Sequence, residues 1–73
     1  MIFEGMTERE YAAMDGLSYR YQLAYYLKEY KKLTFYEIGK RIPNERARGG
    51  VSRMRAMQLY NRAKNAIRLA HYD

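Results

Sequence analysis

The chain has no cysteine, one proline and one histidine among its 73 residues. Without thiols, neither a disulfide framework nor a thiolate metal site can brace so small a domain, and packing must suffice. A chain this short is expected to form one domain with a core barely large enough to fold alone. The lone histidine, His71, falls at the end of a helical stretch, where its cation would suit the helix dipole. With no glycine-rich phosphate loop either, no metal site and no nucleophile–base pair can be assembled, so neither catalysis, a metal nor a cofactor is expected. No apolar run approaches membrane-spanning length, and no basic-then-apolar signal pattern opens the chain. No membrane partner and a cytoplasmic location are the expectation. Nowhere do apolar and polar residues alternate long enough for a strand, and there is no internal repeat. An all-α class remains.

What the chain does carry is positive charge, unevenly placed. The net charge is +6. Residues 1–37 hold five basic and six acidic side chains, a balance of −1, whereas residues 38–73 hold nine basic and two acidic ones, a balance of +7. A basic excess confined to one half is the footprint of a polyanion binder; a solvated basic face serving solubility is the alternative.

Helical signals divide the chain into four. Thr7 with Glu10 has capping-box spacing and predicts a short helix in 7–15, over about Glu8 to Met14, stopping at Asp15-Gly16. Residues 18–42 hold the next two. Ser18 can cap a helix to about Lys31, with Tyr19, Leu23, Tyr26, Leu27 and Tyr30 on its inner face. Thr34 with Glu37 opens another near Phe35, with Phe35, Ile38 and Ile42 inward, and Pro43 ends it near Ile42. Residues 43–50 form a connector containing Gly49-Gly50: a mobile loop, a single helical turn at Asn44 to Arg48, or an arm touching DNA. Residues 52–70 hold the last helix. There Ala56, Leu59, Ala63, Ile67 and Ala70 share one stripe, and Arg53, Met54, Met57, Gln58 and Asn61 share another.

The third and fourth helices read together as a helix-turn-helix, the second capped by Ser52 and carrying Arg53, Arg55 and Gln58. Arginine and glutamine make paired hydrogen bonds to guanine and adenine edges in the major groove. At this point the chain resembles the fourth conserved region of bacterial sigma factors of the sigma-70 type. Leu33, Thr34, Glu37, Ile38 and Gly39 match that family's L-T-x-x-E-I-G run. Val51, Ser52, Arg53, Arg55, Gln58, Ala63 and Arg68 match its V-S-R-x-R-x-x-Q-x-x-x-x-A-x-x-x-x-R run, and the likeness spans roughly residues 20–68. It departs in the long connector, where the family has a tight turn with one glycine, and at Met54, where the family usually has glutamate.

The resemblance implies a small four-helix, sigma region 4-like domain that binds double-stranded DNA. Its bearer would be a bacterial or phage-encoded transcription regulator or sigma-like accessory factor, with a mobile element as a candidate source. Nothing here resembles the region that melts the downstream promoter element, so a complete sigma factor is not expected. RNA polymerase is the implied protein partner, and a homodimer is the other route to specificity, because one short helix reads few base pairs. Candidate base contacts are Arg53, Met54, Met57 and Gln58. Two roles fit the methionines, filling gaps in the core or touching thymine methyl groups. Candidate backbone contacts are Lys40, Arg41, Arg46, Arg48, Ser52, Arg55 and Arg62, which position a protein on the duplex without reading sequence.

Two rival readings stand beside this one. The first is an interaction module that docks on RNA polymerase or another regulator without reading DNA. The second gives the nine tyrosines a role: Tyr21 and Tyr25, one turn apart beside Lys28 and Lys32, would form a docking patch or a stacking platform for single-stranded nucleic acid. Their ordinary role is amphipathic core and rim.

Overall fold

The computed structural model describes residues 3–43 and 50–70. These residues form four helices and no strand: α1 (Glu8–Ala13), α2 (Tyr19–Glu29), α3 (Phe35–Arg41) and α4 (Arg53–Ala70). None of the helices is long and apolar enough to cross a membrane.

Local chemistry sets most of these boundaries. Both capping boxes form: Glu10 N donates to Thr7 Oγ1 at 3.1 Å and Thr7 N to Glu10 Oε1 at 3.0 Å. Glu37 and Thr34 repeat the pattern at 3.2 and 3.3 Å. Ser18 stands at the N-cap of α2 with extended backbone but makes no side-chain cap. The turn before α2 is held instead by Gln22, whose Nε2 donates to the carbonyls of Met14 and Leu17 at 3.1 and 3.0 Å. α3 ends one residue before Ile42, which turns extended (φ −84°, ψ 125°) ahead of Pro43, as proline demands of its predecessor. Ser52 Oγ accepts from Arg55 N at 3.1 Å and caps α4.

α4 touches each of the other three helices, α2 most extensively and α3 next. Its inner stripe of Ala56, Leu59, Tyr60, Ala63 and Ile67 is buried, joined by Ile38 and Ile42 and by Ala24 and Leu27. Ala70, expected on this stripe, is exposed, and Tyr60 takes a place not assigned to it. The inner face of α2 also differs from the periodic reading. Tyr25 is buried and Tyr19 is 47% exposed. Covered on more than one side, α2 buries four consecutive residues, Ala24 to Leu27, which no single helical stripe produces.

The close approach of α3 to the start of α4 depends on glycine. An ideal Cβ on Gly39 would lie 2.4 Å from the Val51 carbonyl oxygen, and Val51 N donates to Gly39 O at 2.8 Å. Gly50 has φ +91°, and a Cβ there would meet Gly39 O at 2.0 Å. The two chain segments therefore touch backbone to backbone. The intervening residues 44–49, with Arg46 and Arg48, lie outside the described residues, and so do the three readings of the connector and that of His71.

Tyrosine hydroxyls fasten α1 and the preceding segment to this frame. Phe3 is buried with ring centroids 5.0 to 6.1 Å from those of Tyr26, Tyr19 and Tyr11. The Tyr26 hydroxyl donates to Glu4 O at 3.1 Å. Glu10 accepts from the Tyr25 hydroxyl at 2.5 Å and also from that of Tyr30. Burial alone would raise the Glu10 carboxyl, but these bonds and those from Thr7 outweigh it and hold the pKa below its ordinary value. Burial and the bond to Glu10 push Tyr25 up; the bond to Glu10, then burial, push Tyr30 up to about 12. Tyr60 is pushed up to about 12 by burial and by its hydrogen bond to Glu29.

The signs fix a stability window. A carboxylate with a depressed folded pKa contributes stability above its unfolded pKa and loses it as pH falls through the folded one. Phenols with raised folded values contribute fully below their ordinary 10.0 and lose the contribution as pH rises toward about 12. Thermal unfolding followed by circular dichroism is expected to peak between about pH 5 and 9 and fall on both sides. Glu10→Gln should cost about 1–2 kcal/mol near neutrality and flatten the acid limb, since hydrogen bonds to a charged group exceed those to its neutral isostere. An acid limb unchanged in the variant would show that another carboxylate sets it.

Candidate nucleic-acid interface

α4 has five arginines and lysines over its 18 residues and no acidic residue. Two of them, Arg53 and Arg55, stand in its first turn, where the helix dipole already presents partial positive charge. Cations there are disfavoured by roughly 0.3–1 kcal/mol, and a bound anion would reverse the sign. Both side chains are exposed, so burial does not compensate them.

The four candidate base contacts share the solvent side of α4. Arg53 and Gln58 are exposed, Met54 is 69% exposed and Met57 38%. The core-filling role for the two methionines is thereby excluded. Five residues apart, Arg53 and Gln58 project roughly 140° from one another around the axis. They bracket the outward face with the methionines between them. Arg55 Nη1 donates to Gln58 Oε1 at 3.4 Å, setting a cation just outside the Gln58 edge of that face.

The candidate backbone contacts are more dispersed. Lys40 is exposed on α3 with its Nζ 4.3 Å from the centroid of Tyr36. Arg41 folds back on its own helix, Nη1 donating to Glu37 O at 3.2 Å. The Ser52 hydroxyl is occupied by the α4 cap, and Arg62 lies over the Tyr21 ring at 5.7 Å, on the flank of α4. Glu37, half-buried one turn before Arg41, has its pKa lowered by its bonds from Thr34, so it stays anionic beside Arg41 and Lys40.

Two residues not assigned to this face from the sequence join the site. Lys28, from α2, and Tyr36, from α3, line an open groove with Thr34, Phe35, Arg53 and Met57. Tyr36 is 59% exposed, and Lys28 Nζ sits 4.5 Å from the Phe35 centroid. Tyr36 was visible as the position next to inward Phe35; Lys28 had no local signal, because only folding brings α2 beside Arg53.

No family model, curated protein or solved structure matches the chain. An exposed helix face with cations at its edges and amide and thioether groups between them can meet a polyanion with readable edges. Among the described residues no cluster of three His, Cys, Asp or Glu side chains is found. The Tyr21–Tyr25 platform does not exist as an exposed pair: Tyr25 is buried, its ring 6.2 Å from that of Tyr60 and its hydroxyl on Glu10.

Proposed function

We propose that this protein binds double-stranded DNA with sequence preference, α3 and α4 acting as a helix-turn-helix with the first turns of α4 in the major groove. In this reading it is a transcription regulator or sigma-like accessory factor, and RNA polymerase or a second copy supplies the remaining specificity. The observation that carries the reading is the division of α4: its inner stripe is buried against the other helices, while Arg53, Met54, Met57 and Gln58 face solvent. The +7 balance of residues 38–73 supports a polyanionic partner.

Exposed Met54 favours a second reading, a module that docks on polymerase or another regulator through this face, since a flexible thioether adapts well to protein surfaces. Salt separates the two. With about five phosphates contacted, log K for a duplex should fall against log salt with a slope near −4 to −5. Salt-independent association, or none at low salt, overturns DNA binding and leaves the docking module.

A further inference from the structure

The second half of α4 lies beyond every residue assigned above to base reading. Asn61, Lys64, Asn65 and Arg68 are all exposed and line one shallow cleft of about 180 Å³. Their spacing of three and four places them together on the solvent side, whereas Tyr60 just before them and Ala63 and Ile67 between them are buried. The fold does not use them. Two of them are nonetheless held in place. Arg68 Nη2 donates to Asn65 Oδ1 at 3.1 Å, and Lys64 Nζ rests 5.6 Å from the centroid of Tyr60, whose hydroxyl is anchored on Glu29. With no carboxylate anywhere on α4, neither cation has an ion-pair partner on its own helix.

Helix geometry says where these groups go when the first turns meet base edges. At 1.5 Å per residue, Lys64 and Arg68 stand about 17 and 22 Å along the axis from Arg53. The major groove is about 12 Å wide, and it winds around the duplex while the helix stays straight. The far half of α4 must leave the groove, and what it meets on leaving is the sugar–phosphate wall. We propose that Asn61, Lys64, Asn65 and Arg68 form a phosphate clamp, a second DNA contact on the backbone outside the base pairs that the first turns read. The clamp rests on the DNA-binding reading. Lys64 and Arg68 supply charge-assisted hydrogen bonds to the phosphate oxygens, and the asparagine amides orient Arg68 and add donors.

The test compares Lys64→Gln/Arg68→Gln with the wild type on duplexes of one and of two helical turns, across a salt series. Both residues are exposed, and circular dichroism with thermal unfolding checks that the variant folds. On the longer duplex the variant should lose roughly tenfold in affinity, and its salt slope should become shallower by about 2. On the one-turn duplex, built with the read base pairs at the end that faces the clamp so that no backbone lies under Lys64 and Arg68, it should match the wild type. Lys64→Arg/Arg68→Lys, which keeps both charges, should keep the wild-type slope. Wild-type affinity and slope of the glutamine variant on both duplexes would overturn the clamp and assign the cleft to an acidic protein surface. Equal loss on both duplexes would also overturn it, because the contact would then lie within the read segment. If the wild type binds neither duplex, the DNA-binding reading itself fails, which is seen before any variant is compared.

Discussion

Gly39→Ala is expected to destabilise the protein by about 3 kcal/mol and, with the α3–α4 junction opened, to abolish duplex binding. Helix propensity alone predicts the opposite sign, since alanine inside a helix is favoured over glycine by about 1 kcal/mol. Sterics decide it. The added Cβ would lie 2.4 Å from Val51 O and 3.3 Å from Ser52 O, both backbone atoms that cannot rotate away. Relief requires the start of α4 to move, breaking the 2.8 Å bond from Val51 N to Gly39 O and shifting the Ser52 cap with it. For a domain of this size such a loss is a large share of the total stability. Gly16→Ala is the control: nothing lies within 4 Å of a Cβ there, and its effect should stay within about 0.5 kcal/mol. Urea unfolding followed by circular dichroism measures both, and a Gly39→Ala protein as stable as the wild type would refute the close-approach account.

Much of this frame is legible in the sequence where the controlling interaction is local. Thr7 with Glu10, Thr34 with Glu37, and Pro43 set helix ends through contacts a few residues apart, and each acts where its spacing places it. The buried and open stripes of α4 follow from its 3.6-residue period. Long-range contacts leave no such trace. Phe3 joins the core by packing on Tyr11 of α1 and on Tyr19 and Tyr26 of α2, and Tyr25 turns inward because Glu10, fifteen residues earlier, receives its hydroxyl. Glu10 shows a residue doing two jobs, of which only the cap could be read from spacing. At the proposed interface, Arg53, Met54, Met57 and Gln58 share one helix and could be grouped in advance, whereas Lys28 and Tyr36 reach Arg53 only through the packing of α2 and α3 on α4.

Arg53→Ala should lower affinity for the preferred duplex by roughly 1–3 kcal/mol and relax preference at one base position. Gln58→Ala should relax a neighbouring position, because the two side chains stand more than one turn apart along the helix. Arg62→Ala, whose guanidinium lies over Tyr21 on the flank of α4, should weaken all duplexes alike. All three residues are exposed, so the variants should keep the wild-type helicity. Competition binding with preferred and scrambled duplexes, accompanied by circular dichroism, separates loss of reading from loss of grip. Wild-type discrimination in both folded variants, Arg53→Ala and Gln58→Ala, would remove the first turns of α4 from the reading role.

The most direct measurement is selection by the wild-type protein from a pool of random-sequence duplexes at near-physiological salt. Sequence-specific reading by α4 predicts convergence on a short common motif that binds more tightly than its scrambled version, with one position lost from the motif when the selection is repeated with Arg53→Ala. Recovery of the starting pool without enrichment, by a folded protein, would contradict the claim that this helix reads DNA.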